Sequence, residues 1–178
     1  NKAEWLCKLY TWQDAEQLDL LVTPGQRAVV MGSGLIGIKA AEALYQRGMQ
    51  VTIIEKQTQI LPRLLSRTSA ELVKEHLQDK GIEIITGQEV TRINGDNGVE
   101  LADGRRLTAQ LVIVAIGTRS NLSLAADCGL AVNQGVLVDS HLRTSDANIF
   151  AAGDVIETND ILTGYPAVMA LLPLAHRE

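Results

Sequence analysis

One phenylalanine, three tyrosines and two tryptophans are the only aromatic residues among 178. That is too few for the stacking platform on which single-stranded bases bind. Positive charge is also in deficit: 16 Lys and Arg face 21 Asp and Glu, for a formal net charge of −5. A chain this acidic has no general attraction for nucleic acid or for an anionic membrane surface. No apolar run approaches the roughly 18 residues that span a bilayer. There is no signal peptide, and residue 1 is Asn rather than Met, so the sequence reads as a fragment of a longer protein. Cysteine is scarce too. Cys7 and Cys128 lie far apart, with no C-x-x-C pair and no metal-ligand spacing. They read as reduced thiols of a cytoplasmic protein. His76, His141 and His176 are isolated, and no Ser-His-Asp set or carboxylate pair stands out.

What remains is ordinary and sufficient for a core: 46% of residues are hydrophobic and 21% charged. Residues 1–10 carry no assignable pattern. Thr11 with Asp14 resembles a capping box and opens a helix from Trp12 to Val22, which Pro24-Gly25 stops. Arg27 to Met31 is a short apolar run before glycines, as in a buried parallel strand. Leu35 to Arg47 has helical spacing and ends at Gly48. Val51 to Ile54 is β-branched, Thr68 to Asp79 is an amphipathic helix, and Ile82 to Thr86 is a third strand.

The pattern then changes. Glu89 to Ile93, Gly98 to Leu101 and Arg105 to Leu107 are short strands, with tight turns supplied by Gly95, Asn97-Gly98 and Asp103-Gly104. They predict an antiparallel meander. Leu111 to Ile116 is again continuously apolar and returns to the buried sheet. Val136 to Val138 and Ile149 to Val155 follow as strands, and a last helix is expected near Pro173. Strand, helix, strand, helix, strand, meander and strand in that order predict a parallel α/β sheet.

Gly32-Ser33-Gly34-Leu35-Ile36-Gly37 follows a strand and opens a helix, and Glu55 comes about twenty residues on, at the end of the next strand. Gly32 permits the tight turn. Gly34 has no Cβ, so a pyrophosphate can approach the backbone, and Gly37 lets the helix pack close to the strand. Helix-start N–H groups at Leu35 and Ile36, with a dipole of about half a charge, attract phosphates. Glu55 would accept hydrogen bonds from an adenosine ribose. A carboxylate facing a 2′-phosphate is repelled by roughly 1–4 kcal/mol at close range, which favours NAD over NADP. Lys56 and Arg63 lie nearby and would blunt that repulsion.

These residues, with Ile60-Leu61-Pro62, Lys80-Gly81-Ile82, Ala115-Ile116-Gly117 and Ile149-Phe150-Ala151-Ala152-Gly153-Asp154, carry a specific resemblance. The sequence from about residue 11 to 178 resembles the nicotinamide-nucleotide domain of the flavin-dependent pyridine nucleotide-disulfide oxidoreductases. Within the family it is most similar to the NADH-dependent nitrite reductase, rubredoxin reductase and NADH oxidase types. The resemblance implies an α/β fold: a Rossmann-like βαβαβ parallel sheet with an antiparallel meander, plus a C-terminal piece of an FAD-binding domain. The expected division is a connecting segment at 1–24, the NAD(P) domain at 25–121 and the return into an incomplete FAD domain at 122–178.

By the same resemblance, Gly117 lies where the chain bends past the nicotinamide cofactor. Gly153-Asp154 matches the returning FAD motif, where the aspartate bonds the ribityl chain. Departures exist: Leu35 stands where the family often has an aromatic gate, Lys39 where it has a glutamate, and Ser120 where it has proline. The first FAD loop, any redox cysteine pair and the dimerisation domain are expected outside residues 1–178.

The leading expectation is a domain that binds NADH in an FAD-dependent oxidoreductase, inactive alone, with the missing parts of its own FAD domain as partners. Apolar surface around Ile149 to Ala152 and Val168 to Leu174 would favour self-association into a homo-oligomer. The alternative is a non-catalytic dinucleotide-binding module that senses redox state. A flavin-free NAD-dependent dehydrogenase lacks a candidate catalytic His, Lys or Tyr near the loop.

Overall fold

The computed structural model describes residues 5–94, 98–160 and 164–168. The chain divides into two compact units, Asn1–Gly117 and Thr118–Glu178.

The first unit is built on strands β1 (Leu6–Lys8), β2 (Arg27–Met31), β3 (Gln50–Glu55) and β4 (Glu83–Thr86), with helices α1 (Trp12–Leu21), α2 (Leu35–Gln46) and α3 (Arg67–Asp79). A meander of β5 (Val90–Asn94), β6 (Gly98–Leu101) and β7 (Arg106–Thr108) follows, and β8 (Leu111–Val114) returns to the main sheet. The main sheet has the order β1-β8-β2-β3-β4, with every pairing parallel. Of the turn residues expected in the meander, Gly95 and Asn97 lie outside the described residues. Asp103-Gly104 does turn the chain: Gly104 has φ +87 and donates its N–H to the Leu101 carbonyl.

Side-chain alternation explains the continuous apolar runs. Ala28, Val30, Val51, Ile53, Leu111 and Ile113 face one core with the helices, while Val29, Ile54 and Val112 face a second core with Val99, Leu101 and Ala109 of the meander segment. Both sheet faces are covered, so both parities must be apolar. Each buried Val, Leu or Ile side chain removed from water contributes about 1.5–3 kcal/mol. Helix α2 buries Gly37, Ala40, Ala41 and Leu44, which recur at helical spacing on one stripe.

Strand β1 was not legible in residues 1–10. Leu6, Cys7 and Lys8 pair in parallel with Val112, Ile113 and Val114, so their conformation comes from a partner far along the chain. The capping box of α1 is present in full: Asp14 N–H donates to Thr11 Oγ1 at 3.1 Å, and Thr11 N–H donates to Asp14 Oδ2 at 2.9 Å.

The second unit holds helix α4 (Ser123–Asp127) and strands β9 (Val136–Leu137), β10 (Ile156–Asn159) and β11 (Pro166–Ala167), ordered β11-β10-β9. The expected strand from Ile149 to Val155 is not formed. Phe150 makes one isolated bridge to Arg143, Gly153–Val155 is a single 3-10 turn, and the strand begins at Ile156. Gly153 has φ +80, a left-handed backbone that no regular strand contains. Ile149 and Phe150 are exposed, as expected, at 39% and 61%. The expected helix near Pro173, His176 and most of the apolar segment Val168 to Leu174 lie outside the described residues. Among the described residues no helix is long and apolar enough to cross a membrane.

Candidate functional site

The carboxyl ends of β2, β3 and β8 lie side by side, because β2 pairs with both of the others. Chain order runs outward from β2 through β3 to β4 on one side, while β8 and β1 occupy the other. That reversal makes a topological switch point, the place where open α/β sheets leave a crevice for ligands. Gly32 leaves β2 here, Glu55 ends β3, and Ala115 to Gly117 leave β8.

The three loop glycines have different reasons to be glycine. Gly32 has φ +98, and a Cβ there would overlap the Ala115 carbonyl, 2.9 Å from its carbon. A Cβ on Gly37 would overlap the Gly32 carbonyl, 3.0 Å from its carbon. Both positions are dictated by packing inside the protein. Gly34 is not: its φ is −69, open to any residue, and a Cβ there would meet nothing within 4 Å. Neither its backbone angle nor its neighbours require a glycine at this position.

Gly34 is also the N-cap of α2, with no side-chain cap, whereas α1 and α3 are capped by Thr11 and Ser66. The first N–H groups of a helix have no intrahelical partner. With the helix dipole behind them they form a cradle for an anion. Leu35 and Ile36 stand at this end half-exposed, at 50% and 46%.

Glu55 is 8% exposed, and both its oxygens are engaged. Oε2 accepts the Ser33 N–H at 2.9 Å and the Ser33 hydroxyl at 2.7 Å, and Oε1 accepts the Gln57 N–H at 2.8 Å. The carboxylate therefore sits beneath the glycine loop, at the edge of the crevice. Ser33 was not singled out in the sequence. A serine between two glycines carries no signature, and only the parallel pairing of β2 and β3 brings it to an acid 22 positions on.

The two cations expected near Glu55 differ. Lys56 is exposed, and its ammonium pairs with the Glu89 carboxylate at 2.9 Å. Arg63 is exposed on the loop that follows Leu61. That loop is tied to the site, since the Leu61 N–H donates to the Ser33 carbonyl at 3.1 Å. Leu61 holds φ 46, a strained conformation for a branched residue, and its carbonyl accepts the N–H groups of Leu64 and Leu65. Gly117 has φ +101, and its carbonyl accepts the Tyr10 hydroxyl at 3.3 Å.

The profile of the Pyridine nucleotide-disulphide oxidoreductase family matches residues 2–178. The chain belongs to this family. It is 34% identical over 163 residues to a rubredoxin-NAD(+) reductase of Pseudomonas putida, covering 89% of this chain and 42% of that protein. It is 32% identical over 160 residues to an assimilatory nitrate reductase electron transfer subunit of Bacillus subtilis, covering 88% of this chain and 21% of that protein. Among solved structures, a NAD-dependent persulfide reductase from A. fulgidus superposes with a TM-score of 0.93 at 34% identity, over 99% of this chain and 34% of that one. The chain thus spans less than half the length of these oxidoreductases.

The second unit of this family member carries the other two residues singled out by resemblance. Gly153 and Asp154 form the start of the 3-10 turn, and the Asp154 side chain is exposed. The Asp154 carbonyl accepts the Ser120 hydroxyl at 2.8 Å. Proline, which the family often has at that position, could not make this bond. The structure thus gives the departure at Ser120 a local role. Burial, with the nearby Asp14 carboxylate, pushes the Cys7 thiol up from its ordinary range. Among the described residues no cluster of His, Cys, Asp or Glu could hold a metal ion.

Proposed function

We propose that this chain binds NAD(H) across Gly32 to Gly37, as the nicotinamide-nucleotide module of an FAD-dependent oxidoreductase. The observation that carries this reading is Gly34: a glycine that neither backbone angle nor internal packing requires, capping a helix that no side chain caps. The pyrophosphate would lie against Gly34 and the N–H groups of Leu35, Ile36 and Gly37. Glu55 would receive the adenosine ribose, and Gly117 would flank the nicotinamide end. Gly153 and Asp154 would meet the flavin.

When bound, NADH would supply the hydride and FAD the means of carrying its electrons toward an acceptor, while the residues of this chain would hold and orient the nucleotide. Glu55 supports a preference for NADH over NADPH, since its charge opposes a 2′-phosphate. Lys56, paired with Glu89, is less available to offset it. Alone, these residues are not a working oxidoreductase, because they carry one glycine loop and hydride transfer to flavin needs two dinucleotide sites. The family match favours this reading over a redox sensor.

The test is calorimetric titration of the protein with NADH and NADPH, together with flavin release on denaturation of the protein that carries this chain. NADH should bind the tighter, and the protein should be yellow. Tighter binding of NADPH would overturn the assignment to Glu55, and absence of nucleotide binding would overturn the reading as a whole.

A further inference from the structure

Building on that nucleotide reading, we infer that Ser33 is a positioning residue for Glu55. Its hydroxyl sets the carboxylate in the one orientation that accepts the ribose 2′-hydroxyl of NADH and opposes a 2′-phosphate. Ser33 is fully buried, at 0% exposure, so its hydroxyl has no access to solvent. It spends its proton on Glu55 Oε2, at 2.7 Å, where the Ser33 N–H also arrives at 2.9 Å. The Gln57 N–H holds Oε1 at 2.8 Å.

A carboxylate has about four acceptor directions. Three are taken by the protein, so a ribose hydroxyl finds one, on Oε1, in a fixed direction. The last torsion of a glutamate is otherwise broad. Two donors converging on the same oxygen remove that freedom. Ser33 cannot drift to follow the carboxylate, because its own carbonyl is held by the Leu61 N–H at 3.1 Å.

Ser33→Ala removes the hydroxyl and keeps the backbone bond to Oε2. Calorimetry with NADH, NADPH, AMP and 2′-deoxy-AMP reads the outcome without any turnover. The Kd for NADH should rise about tenfold, the share of one charge-assisted hydrogen bond, while that for NADPH moves less than about twofold. The preference for AMP over 2′-deoxy-AMP should shrink in parallel. Should the alanine variant fail to fold, Ser33→Cys keeps the side-chain size with a weak donor, and its ratios should shift in the same direction. Equal losses for NADH and NADPH, or unchanged ratios, would make Ser33 a support of the loop alone and overturn the inference. A wild-type protein that binds NADH but does not prefer AMP over 2′-deoxy-AMP overturns the role of Ser33 and leaves nucleotide binding standing. One that binds no nucleotide overturns both.

Discussion

Gly32 and Ala115 lie back to back: a methyl group on the first would overlap the carbonyl of the second. Gly34, two residues on, borders open space. The two positions should therefore respond differently to substitution. Gly32→Ala combines a strained φ with a backbone clash and should destabilise the first unit by about 2–4 kcal/mol. Gly34→Val should leave the urea midpoint nearly unchanged and abolish NADH binding, since the side chain would fill the pyrophosphate's approach. A folded Gly34→Val protein with unaltered NADH affinity would mean that the cofactor does not cross this loop.

Glu55→Gln should change two measurements together. Three donors lose a charged acceptor, so the nucleotide-free protein should become less stable by about 1–3 kcal/mol. The ratio of NADH to NADPH affinity should fall about tenfold or more as repulsion of the 2′-phosphate disappears. Denaturation and paired titrations check the two effects separately. A ratio that stays put would remove Glu55 from nucleotide selection.

Thr11→Ala should cost about 1 kcal/mol, the typical worth of an N-cap. It removes the acceptor of the Asp14 N–H while Asp14 keeps the Tyr10 and Thr11 N–H groups. Those backbone bonds hold the Asp14 carboxyl below its usual range. Faster amide exchange confined to the first turn of α1 is the expected signature.

Glu157 should contribute to the acid limb of the second unit's stability. It is 3% exposed and accepts from Asn133 Nδ2 at 2.9 Å, the Gln134 N–H at 2.7 Å and the Gly135 N–H at 3.0 Å. The Asn133 side-chain bond, with those two backbone bonds, holds its carboxyl below the ordinary range. Its stabilising effect is therefore fully present above the unfolded value of about 4.3 and is lost as pH falls through the lower folded value. Glu157→Gln should flatten the pH dependence in that acid window. Amide protection at Val136 and Ile156, followed from pH 6 to about pH 3, measures it; identical slopes in variant and wild type would exclude the role.

At pH about 8, iodoacetamide should modify Cys128 well before Cys7. Cys128 is exposed, while Cys7 is partly buried with its thiol pushed up by burial and by Asp14. Peptide mass measurement over time distinguishes the two sites, and faster labelling at Cys7 would contradict the packing of β1.

The sequence was most readable where a pattern is local. Arg27–Met31 and Gly98–Leu101 form the strands their composition predicts, and Thr11 with Asp14 caps the helix it announces. The glycine loop and the acid at the end of β3 were visible because turn chemistry and spacing suffice to find them. What escaped was set by distant partners. Leu6–Lys8 is a strand only because β8 lies beside it, and Ile149 to Val155 is not one although it is rich in apolar residues. The bond from Ser33 to Glu55 joins two strands and needed the sheet register to be seen.

The pairing of β1 with β8 also sets a timetable for synthesis. Leu6, Cys7 and Lys8 are made about a hundred residues before Val112, Ile113 and Val114, their partners in the sheet. At about 5–20 residues per second, the growing chain waits roughly 5–20 seconds for β8. Once β3 has paired with β2, the other edge of β2 stays open until β8 is made, and its apolar residues Ala28, Val29 and Val30 flank unpaired backbone. A nascent chain stalled before Gln110 therefore exposes a sticky seam at the centre of the future sheet, and the emergence of one four-residue strand closes it and recruits β1.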